Sequence, residues 1–316
     1  MDPNHELILW RVFGATVRGA SHIRTGMPNQ DAIQWTGDGG SGTAMALAVS
    51  DGHGSAKCFR SDTGAKFAVK VAINVLLNFH QRPGDPVRYS ERKRLAEENL
   101  PKEMVRSWRK EVDDHWNTHG FSEEELNSLL EKDGPKAREA VESNKFLAYG
   151  ATLLCVLVTQ QYALYVQLGD GDILEVSEDQ QVQYALPTDE RLFANETTSL
   201  CGHDAWSNFR IGFQVFSGSP PSLILLSTDG YSNSFQDTTG FLKVGSDLLD
   251  IIRTSGIQHV KDNLEDWLRE ASEDGSGDDV TLGMLYREEN HKKDHAESSG
   301  AETSPTTTTE LEEHRI

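Results

Sequence analysis

Apolar runs of strand length come in two sets along this chain, and apolar stripes at helix spacing fall between the sets. The first set is ELILWRVFGATVRGAS, DAIQWTG and GTAMALAVS. The second is GATLLCVLVT, YALYVQLG, DILEVS, QVQYAL, SLILLSTD and DVTLGMLY. Short links, such as Gln160-Gln161 between Thr159 and Tyr162, predict antiparallel hairpins. After the first set, Phe67, Ala68, Val71, Ala72, Val75, Leu76 and Phe79 recur at helix spacing. Met104, Val105, Trp108, Val112 and Trp116 form a second stripe, read as core. In FSEEELNSLLEKDGP, Ser122 and Glu125 predict a capping box, Phe121 and Leu126 a hydrophobic staple, and Gly134-Pro135 the stop. Two further helices fit GSDLLDIIRTSG and QHVKDNLEDWLREAS. The stretch from Phe79 to Glu98 is polar, holds two prolines and reads as a surface loop. Every apolar face is satisfied by an α+β fold, a four-layer α-β-β-α sandwich of two antiparallel sheets flanked by helices.

Composition narrows this picture without redirecting it. An apolar fraction of 37% supports a sizeable core, and no run of ~18 apolar residues predicts a membrane span. The start, MDPNHELILWRVFG, does not read as a signal peptide. Cys58, Cys155 and Cys201 lie far apart with no CxxC pair, which predicts a reducing cytoplasm rather than a disulfide framework or a cysteine-rich zinc site. From Glu288 onward the chain has eight acids, three bases and no aromatic residue, so 288–316 reads as a disordered acidic tail after a domain over 1–287. The formal charge of −20 is borne mostly by that domain and argues against nucleic acid as a partner.

Carboxylates carry the candidate chemistry. Six Asp-Gly pairs occur, and most are plain turns. Asp51, in VSDGHG, ends one apolar run, and Asp229, in LLSTDG, ends another. Asp278 opens the run DVTLGMLY, and Asp31 precedes DAIQW. After Asp51 and Asp229 the chain does not return as an alternating strand, which an Asp-Gly hairpin would require. Either these four are separate surface turns, or they converge as rigid oxygen donors for a hard cation, Mg²⁺ or Mn²⁺. GDGDILEVSED is not an EF-hand loop, because Leu174 stands where an oxygen ligand belongs.

PNQDA, VSDGHG, GATLLCVLV with VQLGDGD, LLSTDGYSNSF and GDDVTLGML occur in one order. In that order the chain resembles the metal-dependent Ser/Thr protein phosphatases of type 2C, most of all the bacterial members, over roughly residues 11–287. The resemblance implies a centre of two Mn²⁺ or Mg²⁺ ions bridged by Asp51, with the Gly52 carbonyl, Asp229 and Asp278 completing it. Asp31 would contact it through water, and Asp170 would hold a third, weaker ion. His53 would protonate the leaving alkoxide. The substrates implied are phosphoproteins, the products of a Ser/Thr kinase, with no membrane partner and no covalent enzyme intermediate.

The sequence departs from the family at three places. Gly26 stands where many members carry a phosphate-clamping arginine, leaving Arg24 or His22 to reach the substrate phosphate. The last motif reads Asp278-Asp279 where many members have Asp-Asn. Residues 186–210 fill the place of the flap beside the active site. A pseudophosphatase that binds a phosphoprotein or kinase without turnover, and an esterase for small phosphate esters, are the alternatives.

Overall fold

In a computed structural model, the structure describes residues 7–36, 44–82, 88–187 and 198–288. Two five-stranded antiparallel sheets face each other. One runs β1 (Trp10–Val17), β10 (Val280–Arg287), β9 (Leu223–Ser227), β6 (Asp172–Val176), β7 (Val182–Tyr184). The other runs β2 (Ala32–Trp35), β3 (Met45–Ser50), β4 (Leu153–Val158), β5 (Tyr162–Leu168), β8 (Arg210–Val215). Alternate residues of both sheets interdigitate between them, among them Val12, Leu47, Val49, Leu154, Val156, Ile224, Leu226 and Leu285.

The outward apolar faces are covered by helices. On the β3–β4 sheet lie α2 (Ser61–Gln81) and α3 (Tyr89–Thr118), through Ala68, Val71, Val75, Met104, Trp108 and Val112. On the β9–β10 sheet lie α7 (Thr238–Ser255) and α8 (Ile257–Ala271), through Leu248, Ile252, Val260, Leu264 and Leu268. The result is the expected four-layer α-β-β-α order. The capping box at Ser122 is formed at the start of α4 (Glu123–Asp133).

One local expectation fails. The stretch from Phe79 to Glu98 is not one loop, because α3 begins at Tyr89, fifteen residues ahead of Met104, the first residue of its apolar stripe. Exposed charges hid that turn. Ala96 and Leu100 are buried, Arg94 pairs with Glu98 four residues on, and Arg92 stacks over Phe79 and Tyr162. Gly134 caps α4 as the expected stop, and a further helix, α5 (Pro135–Ser143), starts directly after it. RIGFQV, which follows the expected flap and carries no strand expectation of its own, is the edge strand β8, paired with β5. The middle of the expected flap, 188–197, and nearly all of the expected tail lie outside the described residues.

Candidate active site

The two sheets bring their strand ends together at one edge, where a cleft of about 320 Å³ is lined by Asp51, Gly52, His53, Asp170, Asp229, Asp278 and Asp279, with Ser21, His22 and Gln30. A larger cavity, 600 Å³, lies at the far end of β6 around Glu175, Glu178 and Gln183. It brings together none of the sequence-predicted site residues.

Asp51 leaves the wholly buried β3 into a backbone clamp. Its N–H donates to Thr152 Oγ1 at 2.9 Å, and its carbonyl accepts the Thr152 N–H at 2.8 Å. Gly52 donates to the Gln30 carbonyl at 3.1 Å, and His53 donates its backbone N–H to the Gly150 carbonyl at 3.1 Å. A Cβ on Gly52 would stand 2.7 Å from both the Gln30 and Ser61 carbonyl oxygens, so no side chain fits there. Asp229 opens α6 (Asp229–Ser232) directly after β9, and Asp170 sits in the turn before β6.

Carboxylate oxygens of Asp51, Asp170 and Asp229 lie within 4.8 Å of one another, and a second group joins His22, Asp278 and Asp279. Burial and mutual repulsion raise Asp51 and Asp229 out of their usual range. Desolvation, then the charges of Asp170 and Asp278, push Asp229 up to about 6. Desolvation, then Asp31, Asp229 and their neighbours, push Asp51 well above the carboxylate range. Burial also raises Asp172 to about 6 and lowers His53, whose shift Asp170 opposes. Clustered oxygen donors without cationic side chains among the cleft's lining, apart from two histidines, fit a hard divalent cation. Buried beside them, the Gln30 Oε1 has no hydrogen-bond partner among the described residues.

The structure separates two expected residues from this lining. Asp31 sits behind the cleft, its Oδ2 accepting the Thr228 and Thr281 hydroxyls at 2.7 Å each, and burial raises it to about 8. Arg24 is exposed beside Gly277, outside the lining, while His22 from the same short helix, α1 (Ala20–Thr25), forms part of the wall. Gly26 is explained by its backbone: it closes α1 in the left-handed region, at φ 77°. Sequence reasoning missed Asp172, Gln30 and the role of Asp279. It also missed that Cys58 and Cys201, remote in sequence, both bring Sγ against Gly150 beside the His53 ring, each as a free thiol.

Comparison with known proteins agrees with this architecture. A family model described as protein phosphatase 2C matches residues 18–269. A crystal structure of a bacterial serine phosphatase superposes with a TM-score of 0.54 at 14% identity, covering 88% of this chain and 97% of that one. A variant of a bacterial serine phosphatase with lysine in place of an arginine gives 0.51 at 15%, covering 88% and 97%. The Mycobacterium tuberculosis phosphatase PstP/Ppp gives 0.48 at 16%, covering 89% and 100%. No curated protein matches. With a family model matched over most of its length, the chain belongs to the protein phosphatase 2C family.

Proposed function

We propose that this phosphatase hydrolyses phosphoserine and phosphothreonine in proteins with Mn²⁺ or Mg²⁺, by direct attack of water. The observation that carries this reading is the approach of Asp51, Asp170 and Asp229 oxygens within 4.8 Å, in one cleft with Asp278. Asp51, the Gly52 carbonyl, Asp229 and Asp278 would hold two ions, and Asp170 a third. Such ions supply an acidified water and offset charge on the phosphoryl oxygens. Asp31, held by two threonine hydroxyls behind the cleft, would contact the centre through water.

The remaining chemistry falls to this chain's own side chains. Ser50 is wholly buried with its hydroxyl donated to the Thr152 carbonyl, so it is not the nucleophile, and Ser227 is buried within β9. His53 is the candidate acid for the serine or threonine oxygen, a leaving group too basic to depart unprotonated. Buried free thiols suit a reducing cytoplasm, and among the described residues no helix is long and apolar enough to cross a membrane. The expected partners are phosphoproteins made by a Ser/Thr kinase.

Phosphate release from a phosphothreonine peptide tests the reading. Turnover with Mn²⁺ and its loss on chelation are expected. Absence of turnover, or indifference to the chelator, contradicts it. His53→Gln should cost roughly 10²–10⁴-fold on the peptide. It should cost much less on p-nitrophenyl phosphate, whose leaving group needs no proton. Equal losses on both substrates would remove His53 from the acid role.

A further inference from the structure

Three donors converge on one buried acid at the cleft wall. Asp279 is 3% exposed, and its two oxygens take the Gly19 N–H at 2.6 Å and the Gln30 N–H at 2.6 Å. The second oxygen also lies 2.9 Å from His22 Nδ1. Because two backbone amides already fix the carboxylate, it orients the imidazole rather than following it. The short helix carrying His22 is tied to the same segment. Ala20 N–H donates to Ser272 Oγ at 3.0 Å, and the Ser21 N–H and hydroxyl both donate to the Gly277 carbonyl, at 2.8 and 2.6 Å.

In the neutral tautomer that gives its Nδ1–H to Asp279, the other ring nitrogen is an acceptor. It faces Asp278 Oδ1 across 3.8 Å. Two acceptors at that separation have no attraction for each other, but the gap suits a shared cation. Bonds of roughly 2.0–2.2 Å to nitrogen and oxygen are long enough for one ion to reach both atoms. A carboxylate behind an imidazole, on the side away from an ion, is also the usual support of a ligating histidine.

We propose that Asp279 is a positioning residue that turns His22 Nε2 into a nitrogen ligand for the ion at Asp278. The inference rests on the reading of the cleft as a cation centre. It moves His22 from the substrate phosphate to the metal. A mixed nitrogen and oxygen donor set favours Mn²⁺ and later first-row ions over Mg²⁺. It also gives a reason for the acid at 279, where an asparagine would place an NH₂ group against one of its three donors.

Pulsed electron paramagnetic resonance of the Mn²⁺-loaded protein, without substrate, tests this directly. The wild type should show ¹⁴N modulation that changes to a ¹⁵N pattern on ¹⁵N-histidine labelling. It should vanish in His22→Ala and persist in His53→Gln. Asp279→Asn should lower Mn²⁺ affinity by roughly 10–100-fold in calorimetry, with a smaller loss for Mg²⁺. His22→Ala, on a partly exposed position of α1, gives the same readout should the 279 variant not fold. No modulation in the wild type, or modulation surviving His22→Ala, overturns the assignment. A His22 that touches only phosphate would leave Mn²⁺ binding unchanged and raise KM instead, which also overturns it. Phosphate release without nitrogen modulation refutes this inference alone, whereas failure to bind Mn²⁺ refutes the cation centre beneath it.

Discussion

Asp51→Asn is expected to melt higher than the wild type when divalent cations are absent, and to hydrolyse phosphopeptide roughly a thousandfold more slowly when they are present. The two effects share one cause. Asp51 is desolvated and faces the charges of Asp31, Asp229, Asp278 and Asp170, so its ionised form is costly in the metal-free fold. The amide is nearly isosteric and uncharged. The clamp with Thr152 survives, because it uses the Asp51 main chain. Each kcal/mol of repulsion relieved is worth roughly 2–4 °C in a domain of this size. With cations present, the variant loses the carboxylate proposed to bridge them. An asparagine variant that is less stable without metal, or one that keeps its activity, contradicts the assignment of Asp51.

Without divalent cations the wild type should lose stability as pH rises from 6.5 to 8. Asp31, at about 8, lies far above the ordinary 3.8 of an aspartate, chiefly through burial. The folded chain therefore binds this proton more tightly than the unfolded chain. The stability it contributes is full below the unfolded value near 4 and is lost as pH passes through about 8. Asp229 and Asp172, each raised to about 6, add the same slope at lower pH. His53 opposes them below 6.5, since burial keeps it neutral in the fold and the unfolded chain binds its proton more readily. His80 and His115, also lowered by burial, oppose them in the same way, and these histidine effects fade above about pH 7, where one extra bound proton costs about 1.4 kcal/mol per pH unit. Saturating Mn²⁺ should flatten or reverse this slope, because cations bind the deprotonated carboxylates. Denaturant midpoints at several pH values, with and without Mn²⁺, measure it. A metal-free protein whose stability is flat or rises between pH 6.5 and 8 contradicts the burial of these acids.

Most of the layered fold was legible from local pattern. A strand such as β4 announces itself as an unbroken apolar run, and α4 by its capping box. The carboxylates at strand ends were legible for a related reason: an acid that closes a buried strand, with no returning strand after it, has nowhere to go but a sheet edge. The early turns of α3 were not legible, because their charged face outweighs two buried residues, Ala96 and Leu100. Strand β8 was hidden by a half-buried pattern at a sheet edge.

The grouping of ligands was less legible still. Nothing local to Asp279 says that it holds His22, 257 positions earlier, or that Gly26 is set by a helix end rather than by phosphate. These facts belong to long-range contacts that the sheets create. Five motifs in order carried the family, but the family pattern has an arginine where this chain turns a helix. Resemblance therefore pointed to the right cleft without saying which side chain lines its wall.

Calorimetric titration with Mn²⁺ tests the central claim most directly. The wild type is expected to bind two or more ions per chain, with proton release at pH 6. Asp51→Asn should lose the shared pair, and Asp229→Asn should bind at least one ion fewer. A wild type that binds no Mn²⁺, or binding that is undiminished in Asp51→Asn, would contradict it.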